Sequence, residues 1–255
     1  MRTKGPEGAR ESQDSSERRA AYQVAIFGTG GETTKEDKIA IENASQVATR
    51  LVENGFSLGT GGYGGVMKAA SEAGVEKAEA LGLKPEAMVK AFTFEAEKLR
   101  PREVKKAGVI RSETLPQRLG HLVDESSAYV VLGGGQGTVV ELFTALESER
   151  IGQRIGEEEK PVRPVIILDP TLKHTDLLTL QARKEKKLND PKILDNVYVL
   201  GNEPQGAELT EKIVESYYWQ SLGVPVDEET QEQLRRYNLG EFMRNQEEFE
   251  DGGGI

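Results

Sequence analysis

The segment Gly133 to Thr138 combines the residue types that bind an anion through the protein backbone. It reads Gly-Gly-Gly-Gln-Gly-Thr and precedes an apolar stretch typical of a helix. Glycines allow positive φ and leave backbone N–H groups open to close approach, and a helix N-terminus adds roughly half a positive charge. We therefore predict that Gly134, Gly135 and Gly137 cradle a phosphate. Thr138 either caps the helix or donates its hydroxyl to the same anion.

Two charged residues, Glu141 and Arg118, are the candidates for chemistry at this segment. Glu141 lies three residues after Thr138, so it fits a capping box as well as it fits a general acid or base. Arg118 follows the fourth strand-like run of the chain. Because consecutive strands of a sheet are often neighbours, this position predicts a guanidinium beside the Gly133 turn. An isolated surface arginine is the competing interpretation.

Two further glycine-rich turns follow earlier strand-like runs. The first is Gly28 to Gly31, and the second is Gly59 to Gly65, where Gly61 and Gly62 are candidate ligand-binding positions. The second turn also matches the G-x-G-x-x-G pattern of dinucleotide-binding proteins, so an NAD-binding enzyme is one alternative and a tight packing turn is another. No Gly-Lys-Ser/Thr triplet occurs, which excludes a Walker A phosphate loop.

Seven strand-like apolar runs alternate with helical segments and must position these turns. The runs are Tyr22 to Phe27, Phe56 to Gly59, Ala87 to Phe92, Ala107 to Ile110, Tyr129 to Leu132, Val165 to Leu168 and Val197 to Leu200. Lys35 to Asn54 repeats apolar side chains on one helical face, and Gly55 ends that helix. Such alternation predicts a single-domain, doubly wound (Rossmann-like) α/β fold, with a parallel sheet and helices on both faces. Ligands bind these sheets at the carboxyl ends of the strands, where all three glycine-rich turns lie.

Composition excludes several kinds of site and partner. The chain has 255 residues, no cysteine, two histidines and a formal charge of -10. We therefore expect no metal site and no binding to nucleic acid, whose phosphates require clustered basic residues. No apolar run approaches the ~20 residues of a membrane span, and the charged start lacks the apolar stretch of a signal peptide. A cytoplasmic protein without membrane contact is expected.

The distribution of charge divides the chain into three segments. Residues 1–20 are polar and charged and are expected to form a disordered tail, followed by the nucleotide-binding domain over residues 21–225. Residues 226–255 form an acidic arm that is expected to be partly disordered. In a competing interpretation, the apolar residues of the arm form a helix that docks on the domain or on a neighbouring molecule.

The segment Gly134 to Glu141 resembles the P-G-G-x-G-T-x-x-E motif of the LONELY GUY family, the cytokinin riboside 5′-monophosphate phosphoribohydrolases. An upstream M-x-E-R-K segment of that family is similar to Leu115 to Leu119, which keeps the arginine as Arg118. Its G-G-G-x-x-G-L-M element is similar to Thr60 to Met67. The resemblance covers about residues 23–217.

This resemblance implies hydrolysis of the N-glycosidic bond of a nucleoside 5′-monophosphate, by a homodimer that needs no cofactor. It implies that Arg118 and Glu141 form the catalytic pair and that the turn glycines and Thr138 hold the phosphate; the base that is preferred does not follow. The positions that depart from the family pattern are Gly133, Gln117 and Leu119. Molybdenum cofactor carrier proteins are similar to this family, so a non-catalytic nucleotide or molybdenum cofactor carrier is the alternative function.

Overall fold

The computed structural model describes residues 16–94, 104–154, 161–169, 176, 178, 191–201 and 203–251. Seven strands form one sheet in which every pair of neighbours is parallel. The strands are β1 (Gln23–Phe27), β2 (Ser57–Thr60), β3 (Val89–Phe94), β4 (Gly108–Ser112), β5 (Ala128–Leu132), β6 (Val165–Leu168) and β7 (Val197–Val199). Each predicted apolar run forms a strand, so the predicted doubly wound α/β class is confirmed.

The strand order places one reversal near the middle of the sheet. The order is β4-β3-β2-β1-β5-β6-β7. The chain therefore moves from β1 outward to the edge strand β4 and then returns to β5 on the other side of β1. In open α/β sheets the crevice at such a reversal, outside the carboxyl ends of the strands, is where ligands bind.

Helices precede β2, β3, β5 and β6 and follow β7. They are α1 (Lys35–Glu53), α2 (Gly65–Ala80), α3 (Pro85–Met88), α4 (Leu115–Asp124), α5 (Gln136–Arg154), α6 (Gly206–Ser221), α7 (Glu228–Arg235) and α8 (Leu239–Asp251), with a 3₁₀ turn at Pro191–Asn196. The predicted first helix is confirmed, because Thr34 and Asp37 cap its start reciprocally and Gly55 follows its end at φ 87°. Within the described part of the chain, no helix has both the length and the apolarity to cross a membrane.

Two apolar cores lie on opposite faces of the sheet. Successive side chains of a strand point to opposite faces, so Val24 and Ile26 of β1 join the core beneath α1, α2 and α6. Ala25 and Phe27 join the core beneath α4 and α5. Because the sheet is buried on both faces, its strands are apolar throughout.

The acidic arm contains two helices, α7 and α8, that pack on the domain. Leu234 and Leu239 are buried, one in each of the two cores. The backbone N–H of Val199 on β7 donates to the carbonyl of Tyr237 at 2.8 Å. The arm is thus docked on the sheet, and side chains of residues 246–255 lie outside the described ones.

Residues 16–21 form a helical turn that is held on the domain by Arg19. The guanidinium of Arg19 lies 5.2 to 5.4 Å from the ring centroids of Phe56, Tyr218 and Trp219 and forms an ion pair with Glu215 at 2.8 Å. Residues 16–20, which the prediction places in the tail, are therefore packed on the domain through Arg19. Residues 1–15 lie outside the described residues.

Candidate functional site

Three glycine-rich loops meet at the carboxyl edge of the sheet, where the strand order reverses between β1 and β5. The loop after β1 links the other two, since Thr29 donates its N–H to the carbonyl of Gly133 at 2.8 Å. The carbonyl of Thr29 in turn accepts from the N–H of Val66 at 2.9 Å, in the first turn of α2. The sequence predicted that these turns share one edge, and hydrogen bonds join them directly.

The loop after β5 uses its glycines for space rather than for positive φ. None of the glycines from Gly133 to Gly137 has a positive φ, so the left-handed backbone that glycine permits is not used in this turn. A Cβ on Gly134 would overlap the hydroxyl of Thr138 and lie 2.9 Å from the N–H nitrogen of Thr29. At Gly135 and Gly137 a Cβ would meet nothing within 4 Å. These two glycines therefore border open space in front of the helix.

Helix α5 presents an N-terminus that carries no acidic side chain. The helix begins at Gln136, and Gly135 directly precedes it. Its first turn contains the buried Thr138 and no acidic residue. The N-terminus of α2 differs, because the N–H of Gly65 donates to the carboxylate of Glu32 at 3.2 Å. An added anion gains more at the start of α5, where the helix dipole is not already offset by a carboxylate.

Arg118 and Glu141 form a buried ion pair at this edge. Their Nη2 and Oε1 atoms lie 3.0 Å apart, and the side chains are only 6% and 8% exposed. The capping-box interpretation of Glu141 is wrong, because Thr138 lies inside α5 and the carboxylate accepts from Arg118. The surface interpretation of Arg118 is wrong as well, since its Nε also donates to the carbonyl of Phe92 at 2.9 Å.

Arg118 reaches Glu141 by a route that differs from the predicted one. Strands β4 and β5 are not neighbours, because β3, β2 and β1 lie between them. Helix α4 instead crosses back over the sheet from the edge, and its start is fixed by a reciprocal cap between Thr114 and Gln117. Gln117, which departs from the family pattern, is therefore the partner of the N-cap residue Thr114 and lies one residue before Arg118.

Gly61 and Gly62 give the loop after β2 room to approach Arg118 and β3. A Cβ on Gly61 would overlap the guanidinium of Arg118. Gly62 has a φ of 71°, and a Cβ on it would overlap the side chain of Thr93. Both glycines are therefore required by packing, since a side chain would displace Arg118 or Thr93. Their predicted role in binding a phosphate stays a prediction.

The side chain of Met67 lies near the loop after β1 and near the loop after β2. Its Cε would lie 3.8 Å from a Cβ on Gly30, and its Sδ 2.5 Å from a Cβ on Gly61.

Burial governs the electrostatics of the pair. Removal of water raises the pKa of Glu141 above its ordinary value, and the adjacent Arg118 guanidinium offsets part of that rise by its charge and its hydrogen bond. A raised pKa brings a carboxyl closer to the pH at which an acid or base exchanges protons readily.

The structure adds Asp169, which the sequence reasoning missed. This residue follows β6 directly, is fully buried, and has its Oδ1 3.4 Å from where a Cβ of Gly133 would lie. A carboxylate directly after a buried strand at the carboxyl edge was the available signal.

A cavity of about 380 Å³ lies elsewhere, between β7, α6 and the arm. Asp195, which lines it, precedes β7, so the cavity reaches the amino end of that strand. Its buried polar groups already bond one another, as the hydroxyls of Tyr198 and Tyr217 do at 3.1 Å. The candidate site is therefore the carboxyl edge, where the glycine-rich loops and the buried ion pair lie together.

Solved structures of other proteins resemble this fold at low sequence identity. The molybdenum cofactor carrier protein of Chlamydomonas reinhardtii is 16% identical with a TM-score of 0.50, over 76% of this chain and 98% of that one. The molybdenum cofactor binding protein of Rippkaea orientalis is 22% identical with a TM-score of 0.48, over 70% and 88%. The structural genomics target TM1055 is 19% identical with a TM-score of 0.42, over 57% and 72%.

No curated protein matches the chain. A family model does match, over residues 21–163, and its description is the SLOG cluster4 family. The matched residues are more than half of the chain and contain the three glycine-rich loops, Arg118 and Glu141. The chain therefore belongs to the SLOG cluster4 family.

Proposed function

We propose that this protein binds a nucleoside 5′-monophosphate at the carboxyl edge and hydrolyses its N-glycosidic bond to a free base and ribose 5-phosphate. The observation that carries the proposal is the buried Arg118–Glu141 pair beside the start of α5, a helix whose first turn has no acidic residue. The resemblance of Gly134 to Glu141 to the LONELY GUY motif supports the same activity.

The phosphate is assigned to the N-terminus of α5. Gly135 and Gly137 leave open space there, so backbone N–H groups meet the anion without side-chain obstruction. The buried hydroxyl of Thr138 lies in the same turn and donates a further hydrogen bond. A protein with a charge of -10 must hold an anion through such local donors, because its overall field repels phosphate.

Glu141 is assigned the chemistry at the sugar. Departure of the base leaves positive charge at C1′, which a carboxylate beside the ring stabilises, as in glycosidases. Glu141 also accepts a proton from the attacking water as the water oxygen bonds to C1′, and the electrons of the C1′–N bond leave with the base. The proton then passes to the base, so that the net reaction is hydrolysis. Arg118 orients the carboxylate and donates to the substrate.

A non-catalytic carrier of a nucleotide or of the molybdenum cofactor is the second candidate. It is favoured by the carrier protein of Chlamydomonas reinhardtii, whose fold covers 76% of this chain. The NAD-binding alternative is weaker, because the carboxylate of Glu32 already accepts from Gly65 at the start of α2, where that pattern would place a pyrophosphate.

The deciding experiment is chromatography of free base after incubation with AMP, GMP and CMP. We expect base release by the parent protein and at least 10²-fold less by Glu141→Gln, the scale expected when a positioned acid or base is removed. Thermal stabilisation by a nucleotide without any base release would favour the carrier. Stabilisation by NAD but by none of the monophosphates would refute both candidates.

A further inference from the structure

Tyr63 connects the loop after β2 to Arg118 and to the end of β3. The Cζ of Arg118 lies 5.4 Å from the centroid of the Tyr63 ring. The Tyr63 hydroxyl donates to the carbonyl of Phe94 at 2.7 Å and accepts from the N–H of the same residue at 3.4 Å. Phe94 is the last residue of β3, so the tyrosine is anchored at one end and faces the guanidinium along its ring.

The loop that carries Tyr63 is shaped to permit this arrangement. Gly62 at φ 71° turns the chain immediately before the tyrosine, a conformation that strains any residue with a Cβ. Gly61 lets the backbone approach the guanidinium closely. The two glycines before Tyr63 therefore serve its placement, and the half-buried ring closes one side of Arg118.

Arg118 is restrained by groups with different chemistry. Its Nε donates to Phe92 and its Nη2 to Glu141. The Tyr63 ring adds an attraction to the face of the guanidinium that leaves its N–H groups available. Phe92 and Phe94 both belong to β3, so the carbonyl and the tyrosine fix Arg118 to the same strand.

We propose that Tyr63 is a positioning residue that holds the plane of the Arg118 guanidinium, and that it determines ligand affinity through Arg118 rather than by contacting the ligand. The first half of this inference, the positioning of Arg118, is independent of the proposed function. The second half, the effect on ligand affinity, rests on it. An incoming anion competes with Glu141 for the guanidinium, and during that exchange the Phe92 carbonyl and the Tyr63 ring keep the donor fork in place. A guanidinium without the ring would be free to tilt.

The positioning is tested first without ligand, by ¹⁵N NMR of the Arg118 Nε–H, whose solvent exchange reports how firmly it donates to Phe92. Tyr63→Phe keeps the ring and should leave this exchange within about threefold of the parent. Tyr63→Leu removes the ring and should accelerate exchange by at least about tenfold. Tyr237→Leu, at a half-buried tyrosine of the arm, is the matched control and should change nothing. Unaltered exchange in Tyr63→Leu would overturn the proposal.

The second half is tested with AMP as the probe, by calorimetric titration of the same variants. We expect about tenfold weaker binding for Tyr63→Leu, and no additional loss when it is combined with Arg118→Met. An equal loss in both backgrounds would mean that Tyr63 contacts the ligand directly and would overturn this half. Absence of AMP binding by the parent would refute the proposed nucleotide site, whereas the exchange measurement would still decide whether Tyr63 positions Arg118.

Discussion

Glu141→Gln should cost far more stability than replacing both members of the buried pair. The substitution keeps the shape of the side chain but leaves Arg118, which is 5% exposed, without a counter-charge. Breaking a buried pair in this way costs about 3–5 kcal/mol. At about 2–4 °C per kcal/mol for a domain of this size, the melting temperature should fall by about 6–20 °C.

The double variant Arg118→Met, Glu141→Leu removes both charges and fills similar volume. Replacing a whole buried pair by apolar side chains is often neutral or stabilising. Here the carbonyl of Phe92 loses its donor, which costs about 1–3 kcal/mol. The free energy of unfolding of the double variant should therefore lie within about 2 kcal/mol of the parent value and above that of Glu141→Gln. The double variant should release no base.

Urea unfolding monitored by circular dichroism measures these differences. Glu211→Gln is the matched control, because Glu211 pairs with Arg50 at 2.8 Å where the arginine is 42% exposed. That variant should lose no more than about 1 kcal/mol. A double variant that is less stable than Glu141→Gln, or a loss for Glu141→Gln no larger than that of the control, would refute the reasoning that burial makes this pair mutually dependent.

Three other predictions concern the anion site, the first helical turn and assembly. Gly135→Val should abolish stabilisation by AMP in a thermal-shift assay yet leave the apo melting temperature within about 2 °C, because its Cβ meets no protein atom; a large apo shift would contradict this. Arg19→Ala should lower the melting temperature by about 4–8 °C as cation–π and ion-pair contacts are lost, whereas Arg235→Ala, at an exposed pair with Glu232, should lower it by no more than about 2 °C. Analytical ultracentrifugation should show the homodimer implied by the family resemblance, and only monomer at micromolar concentration would oppose it.

The strands and the position of the site could be predicted because each depends on local sequence. Runs of Val, Ile and Leu specify buried parallel strands, and glycine-rich turns after them specify one edge. The path of Arg118 could not be predicted in the same way. It depends on strand order, and the return from the edge strand β4 to β5 is decided by packing across the whole sheet.

Side-chain partners were the other feature that spacing left open. The interval from Thr138 to Glu141 fits a capping box and a catalytic acid equally. The start of α5 at Gln136 and the bond from Arg118 exclude the capping box, and the catalytic role stays a prediction. The presence of glycines likewise did not reveal the backbone geometry. Positive φ occurs at Gly62 and Gly65 and not in the loop after β5. A glycine in a sequence permits left-handed backbone and close packing alike.

The same ion pair couples ligand binding to protons, which gives the final prediction. Burial raises the pKa of Glu141 above its ordinary value of 4.5, and Arg118 limits that rise. A carboxyl shifted in this direction favours the folded state at low pH, and this contribution is lost as pH rises through the folded-state pKa. If a phosphate or ribose draws Arg118 away, the offset weakens and the pKa of Glu141 rises further, so that binding takes up protons. Calorimetric titration of AMP in two buffers of different ionisation enthalpy counts those protons. The AMP phosphate titrates in every variant, so the difference between the parent and Glu141→Gln isolates this residue. We expect greater proton uptake by the parent, and equal proton numbers would mean that Arg118 stays bonded to Glu141 when AMP binds.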